Sequence, residues 1–257
     1  SYRVNTDVLP AVSSTDDVES GPTAWSAGGA PAFSVVAGWR RIAIGPMDHR
    51  WLGPDPSSGP TDQFVMTPPL EVSATGSFGF TFRHRYAFEN DAVPTYYDGG
   101  VLELSTDDGA NWTDIGAGAS PGYNGTISTC CGNPLGTRPA YVMNNASYPA
   151  FETVSVDLGT AYQGVVVRIR LRVGTDQAVG GNGWELDDVA FTGIDNTPFA
   201  ALVPDSGSCL HPGDVLLHVS RNGGDPSLVD LSWSVSCGND VGGYAVYEGA
   251  LGSYYGE

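Results

Sequence analysis

Five acidic residues carry the chemistry of a hard-cation site. Glu89, Asp91 and Asp98 cluster around one loop, and Asp187 and Asp188 lie together on a later strand candidate. Loop carboxylates with backbone carbonyls are the oxygen set that Ca2+ takes, so structural calcium is expected, although the spacing matches no EF-hand. The competing reading is that these carboxylates are solvated or paired with arginine. A second group is cationic: Arg83, Arg85, Arg168, Arg170 and Arg172 alternate along two strand candidates. Planar guanidinium groups grip anions through paired donors, so if the strands are neighbours these side chains form a stripe for an anionic or polysaccharide ligand. The alternative, adopted here, is a cross-strand lattice with Glu103, Glu152, Asp157 and Glu185, in which opposite charges on outward positions support the sheet.

Catalytic motifs are missing from the sequence. None of His49, His84, His211 and His218 has a second His or a Cys at metal-ligand spacing. There is no Gly-x-Ser-x-Gly elbow for a serine nucleophile and no His-Glu-x-x-His for a catalytic zinc. Asp187 and Asp188 are strand neighbours, expected on opposite faces, and cannot flank one scissile bond. A carboxylate pair drawn from separate strands, as in glycosidases, stays open. No catalytic residue is assigned, and the chain is read as a non-enzyme. Trp25, Trp51, Tyr96 and Tyr97 fall in loop candidates, where aromatics either stack on sugars or cap the ends of a sandwich.

These residues must be positioned by β-structure. In residues 96–116, Val101, Leu102 and Leu104 make a short apolar strand, Trp112 and Ile115 mark its return, and Thr106-Asp107-Asp108-Gly109 supplies the turn. The spacing Ser105, Asp107, Gly109, Trp112 resembles the Asp-box hairpin of sialidase propellers and many secreted β-proteins. A propeller needs the motif blade after blade and this chain has one copy, so Asp107 is read as a turn-locking residue. In residues 78–88 alternation puts Phe78, Phe80, Phe82, His84, Tyr86 and Phe88 on one face and Thr81, Arg83 and Arg85 on the other. The same alternation places Val165, Val167, Ile169, Leu171 and Val173 inward.

Composition narrows the class. The chain of 257 residues has 35 Gly, 18 Pro and few charged residues, which fits an all-β protein rich in turns. It carries 29 acidic against 11 basic residues, for a net charge of −18. Every basic residue is arginine, read as compositional bias more than adaptation to salt. That balance excludes nucleic acid and anionic membranes as partners. No apolar run approaches the ~20 residues of a membrane span, no signal peptide is seen, and the start at Ser1 reads as that of a processed piece. Four cysteines suggest an oxidising compartment. Cys130 and Cys131 are adjacent, so a bond between them would close a strained eight-membered ring; Cys209 and Cys237 are free to pair.

The expected organisation is a linker or edge-wrapping arm over 1–31, an antiparallel two-sheet sandwich of jelly-roll type over 32–195, and a smaller β-module over 196–257. Its first strand is expected in 33–44, then a loop with His49, Trp51 and Asp55, with later strands at 151–157 and 183–194 and a long Gly/Asn/Pro-rich excursion over 117–146. In the last segment, 215–219, 228–233 and 244–247 read as strands that look like a fibronectin type III module, which needs about 90 residues and is here reduced or cut short.

Phe82-Arg83-His84-Arg85-Tyr86, Tyr97-Asp98-Gly99-Gly100-Val101-Leu102-Glu103-Leu104-Ser105 and Gly183-Trp184-Glu185-Leu186-Asp187-Asp188-Val189 together resemble the MAM-like jelly-roll domains of secreted bacterial metallopeptidases, in the immune inhibitor A and fungalysin-like groups. The resemblance implies a non-catalytic accessory module, secreted or at the cell surface, covalently linked to neighbouring domains. Its role would be adhesion, substrate targeting or stabilisation, with a glycan or an extracellular protein as partner. An autonomous carbohydrate-binding lectin is the alternative, and a secreted hydrolase the more distant one.

Overall fold

The computed structural model of the chain describes residues 11–19, 24–30, 38–45, 48–89, 91, 95–201, 217–221 and 229–233. In chain order the strands are β1 (Ala11–Ser13), β2 (Thr15–Asp16), β3 (Ser26–Ala30), β4 (Arg40–Gly45), β5 (Asp48–Gly53), β6 (Thr61–Met66), β7 (Leu70–Glu71), β8 (Phe78–Ala87), β9 (Gly99–Ser105) and β10 (Thr113–Asp114). They continue with β11 (Ala119–Ser120), β12 (Gly125–Thr126), β13 (Pro139–Ala140), β14 (Glu152–Gly159), β15 (Val166–Thr175), β16 (Gly183–Thr192), β17 (Phe199–Ala201), β18 (Leu217–Arg221) and β19 (Val229–Trp233). Backbone contacts divide the chain into two units: Val12–Ala201, and Ser1–Ala11 with Leu202–Glu257. In the second unit β18 and β19 pair antiparallel, Leu217 opposite Trp233. Cys209, Cys237, the strand expected at 244–247 and His211 lie outside the described residues, as do residues 1–10 of the arm and 33–37 of the first expected strand.

In the larger unit most strands form two antiparallel sheets, while β12 and β13 pair with each other in the 117–146 excursion. One has six strands, in the order β10-β9-β15-β6-β3 with β7 also on β15; the other has seven, in the order β11-β14-β8-β16-β5-β4 with β2 also on β16. The alternation read from the sequence explains why they face each other. Phe78, Phe80, Phe82, His84 and Tyr86 of β8 and Val167, Ile169, Leu171 and Val173 of β15 are buried, and both sets belong to one sandwich core with Trp39, Trp184 and Tyr141. The packing is close enough that a Cβ on Gly100 would overlap the Trp184 ring, so glycine is required where β9 crosses that indole. His84 lies inside this aromatic cluster, edge-on to Phe82, Tyr86, Tyr141 and Trp184 at 5.0–6.1 Å.

Strand β9 is buried on both faces. Leu102 and Leu104 enter the main core, while Val101 packs outward against Ile127, Leu135, Ala140 and Val142 of the 117–146 excursion. Asn133 pins that excursion by donating to the carbonyls of Tyr97 (2.7 Å) and Gly174 (2.8 Å). Cys130 and Cys131 are joined by a disulfide that closes the eight-membered ring between adjacent residues.

The hairpin is locked as its turn chemistry demands. Asp107 Oδ1 accepts from Ser105 Oγ (2.8 Å) and the Asn111 backbone N–H (2.8 Å), and Oδ2 accepts from Asn111 Nδ2 (2.7 Å). Asp108 and Gly109 take the left-handed conformation, with φ of 58° and 96°. The bonds from Asn111 and Ser105 hold the Asp107 carboxyl down to about 2. Asp107→Ala is therefore expected to lower the melting temperature by a few degrees at neutral pH and to leave cation binding unchanged. The difference should shrink as pH falls below the ordinary carboxylate range toward 2. A variant that melts like the parent but no longer binds cation would overturn this reading.

Two expectations change. Residues 48–53, read as loop, form β5 between β4 and β16, and Trp51 is a core residue at 5% exposure. Arg50 and Asp48 on the outer side had masked its alternation. Trp25 is likewise buried: it stacks on Phe199 at 5.6 Å and donates from Nε1 to Asp16 Oδ2 at 2.6 Å. Neither tryptophan is an exposed platform for sugars.

Candidate metal centre

Four strand ends meet at one end of the sandwich, two from each sheet. Asp55 lies two residues beyond β5 and Glu89 two beyond β8; Asp98 immediately precedes β9 and Asp176 immediately follows β15. The registers bring these ends together, because Gly174 faces Gly99, Gly183 faces Ala87 and Trp184 faces Gly53. Asp55, Asp98 and Asp176 are 5%, 0% and 4% exposed. Oxygens of Glu89, Asp98 and Asp176 fall within 4.8 Å of one another.

Backbone donors satisfy part of this charge. Asp55 Oδ2 accepts from the N–H of Gly181 (2.8 Å) and Glu89 (3.1 Å), Asp98 Oδ1 from that of Asp176 (2.5 Å), and Asp176 Oδ1 from that of Ala178 (2.8 Å). A Cβ on Gly181 would run into the Ala87 carbonyl, so glycine lets the loop after Asp176 close over Asp55. Three buried oxygens, Asp55 Oδ1, Glu89 Oε2 and Asp98 Oδ2, remain without an N–H or O–H donor when the carboxylates are ionised. Among the described residues no ion pair reaches any of the four.

Burial and mutual repulsion make this costly. Burial, then the neighbouring Asp55 charge, push the Asp98 carboxyl up to about 9. Burial raises Asp55 as well, and Glu89 is raised by burial and by Asp176, Asp55 and Asp91. Such a group is relieved either by taking up a proton, which Asp98 can share with Asp55, or by a cation. The donor set contains oxygen alone, which suits a hard divalent ion over a soft one, so the residues present fit calcium.

Of the residues singled out in the sequence, Glu89 and Asp98 are at this centre. Asp91 is exposed beside it, accepting from the Tyr97 hydroxyl at 2.9 Å. Asp187 and Asp188 are elsewhere: a bulge between Asp187 and Ala190 interrupts the pairing of β16 with β8, and Asp188, at φ 46°, pairs with Arg83 at 2.9 Å. Asp187 accepts from the Asp188 N–H, and burial and the Asp188 charge raise its carboxyl to about 6. Asp55 and Asp176 went unrecognised, although an Asp one or two residues beyond a strand is the one local sign each carries.

The five arginines do not form one stripe, because β8 and β15 belong to different sheets. On the seven-stranded sheet, Arg83 pairs with Asp188 and Arg85 with Glu185 (2.7 Å); with Arg50 they surround the Phe151 ring at 4.8–5.4 Å. On the opposite outer face, Arg168 pairs with Asp108 (2.5 Å), Arg170 with Glu103 (2.6 Å) and Arg172 with Asp62 (2.6 Å). Arg170 is held between the rings of Trp112 (4.1 Å) and Phe64 (5.2 Å). Every one of the five thus has a carboxylate partner.

No protein-family model matches the chain, and no curated protein matches it. Among solved structures, the K1 cleaved adhesin domain of Lys-gingipain from Porphyromonas gingivalis W83 is similar at 18% identity, covering 69% of this chain and 96% of that one, with a TM-score of 0.41. TmCBM61 in complex with beta-1,4-galactotriose is similar at 10% identity, covering 67% of this chain and 88% of the other, at 0.36. The C-terminal CBM6 of a laminarinase from Zobellia galactanivorans is similar at 10% identity over 65% of this chain and 98% of the other, at 0.27.

Proposed function

We propose that this chain is a non-catalytic binding module of an exported protein, whose sandwich is clasped at one end by a structural Ca2+ held by Asp55, Glu89, Asp98 and Asp176. The observation that carries the proposal is the set of three buried carboxylate oxygens without donors, contributed by strand ends of both sheets. A divalent ion there would replace repulsion by attraction and join the sheets where their strands finish. Extracellular fluids supply such an ion at concentrations that modules of this kind can use. The binding partner in this reading is a glycan or an extracellular protein, and the accessory role beside a secreted enzyme rests on the resemblance of about residues 33–195 to MAM-like modules.

Two histidines have structural places in this reading: His84 is enclosed in the core and His49 lies against Glu19 at 3.0 Å. The test is thermal melting in EDTA and in millimolar calcium. At a calcium concentration a hundred times the Kd, stabilisation by about 2.7 kcal/mol should raise the midpoint by about 5–10 °C. Calorimetric titration should give one ion per chain. Superimposable melting curves would reject the clasp.

A further inference from the structure

Where the six-stranded sheet ends at β9 and β10 there is a hollow of about 510 Å³, lined by Asp114, Gly116, Ala117, Tyr123, Arg138 and Pro139. Its polar groups are fixed before any ligand arrives. The Tyr123 hydroxyl accepts from the Leu102 N–H (2.7 Å) and donates to Asp114 Oδ1 (3.2 Å), which also accepts from the Gly116 N–H (2.8 Å). Arg138 donates to Asp114 Oδ2 (2.7 Å) and to Glu103 Oε1 (2.5 Å). The Tyr123 ring lies against Gly116, where a Cβ would overlap it.

Charge decides what such a hollow accepts. Arg138, Arg170 and Arg172 are balanced by Asp114, Glu103 and Asp62, so no cationic surplus is left for an anion, and the chain as a whole repels polyanions at −18. What remains is a guanidinium with further N–H donors, a carboxylate acceptor beside it, and largely apolar walls of Tyr123, Ala117 and Pro139. One donor and one acceptor side by side against an apolar ring match a sugar's adjacent hydroxyls and its C–H face.

We propose that this hollow binds a neutral pyranose unit of a glycan, with one hydroxyl donating to Asp114, the next accepting from Arg138, and the apolar face of the ring against Tyr123 and Pro139. The inference rests on the binding-module reading and selects the glycan as its partner. The test is calorimetric titration of the whole chain, in calcium, with hexaoses of β-1,4-linked glucose, galactose, mannose and xylose, and with heparin. Amide NMR of the unmodified protein follows the site directly. The expected result is binding of at least one neutral hexaose but not heparin, with amide shifts centred on Gly116, Ala117 and Tyr123. Ala117→Trp, which fills the hollow without touching an ion pair, should weaken affinity about ten-fold or more with an unchanged melt, and Arg138→Lys should weaken it too. If the protein binds a hexaose but shifts appear elsewhere, or Ala117→Trp binds as before, the hollow is wrong and the glycan reading stands. Binding of none of these sugars, or of heparin alone, overturns both the hollow and the glycan partner, and leaves the calcium clasp to its own test.

Discussion

Glu103→Ala is expected to destabilise the larger unit by about 3–5 kcal/mol, the cost of leaving buried charge uncompensated. Glu103 is 3% exposed. Oε1 accepts from Arg138 (2.5 Å) and Arg172 (3.4 Å), and Oε2 from Arg170 (2.6 Å). Burial works against its ionisation, yet Arg138 and Arg170 hold its carboxyl below the usual range. Without it three guanidinium groups converge, and Arg170, between Trp112 and Phe64, cannot swing out to water. Glu103→Gln, which keeps the shape and one acceptor, should cost less. By contrast Arg83→Gln, which breaks the exposed pair with Asp188, should cost under about 1 kcal/mol. Urea midpoints at constant slope measure all three; a Glu103→Ala loss no larger than that of Arg83→Gln would show the lattice has no buried centre.

The second large effect is that of pH on the calcium-free protein, and two groups drive it in opposite directions. His84 is fully buried; its Nδ1 accepts from Trp184 Nε1 (3.2 Å), so its proton sits on Nε2 and is donated to Glu152 (3.1 Å). Burial lowers this imidazole from 6.5 to about 3. Between those values the unfolded chain binds a proton that the folded one does not, so stability is lost as pH falls from 6.5 toward 3. Asp98 is raised from 3.8 to about 9. The folded state keeps that proton while the unfolded state has released it, so stability is lost as pH rises through this range, by at most about 1.4 kcal/mol per pH unit. Above 6.5 the His84 limb is gone and the raised carboxyls of the metal centre, Asp98 foremost, set the slope. Denaturation in EDTA should therefore give a midpoint that declines from pH 6.5 to 9, and calcium should remove the decline because the ion takes the place of the proton. Asp98→Asn should flatten that limb and abolish the calcium response. An EDTA profile level from pH 6.5 to 9 would mean that Asp98 ionises freely.

What the sequence disclosed was local. The alternation of β8 and β15 and the turn at Asp107 were legible because each depends on neighbours within a few residues. What it hid was pairing across the chain. Nothing in Arg83 or Arg170 tells which sheet its strand joins, so five outward arginines read as one surface when they lie on two. Glu103 looked like an exposed partner in a lattice, since the groups that close over it come from Arg170 and Arg172 on β15 and from Arg138 in the excursion. The metal centre shows the same limit: Glu89 and Asp98 are near in sequence and were recognised, whereas Asp55 and Asp176 arrive on strands that only the sheet order brings alongside. Strand β5 was missed because a glycine-proline pair and two charged residues obscured the alternation around Trp51.

The arginine-only surface has a further consequence, in proteolysis. Trypsin-like proteases cut after lysine or arginine, and this chain offers no lysine. In the larger unit Arg40, Arg41, Arg50, Arg83, Arg85, Arg168, Arg170 and Arg172 all lie within strands β4, β5, β8 and β15, where the backbone is committed to sheet ladders and cannot enter a protease cleft without local opening. The remaining one, Arg138, precedes Pro139, a bond such proteases cleave poorly. For this part of the chain the rate of tryptic cleavage thus follows the population of opened molecules, and whatever keeps the sandwich closed also sets its lifetime among proteases.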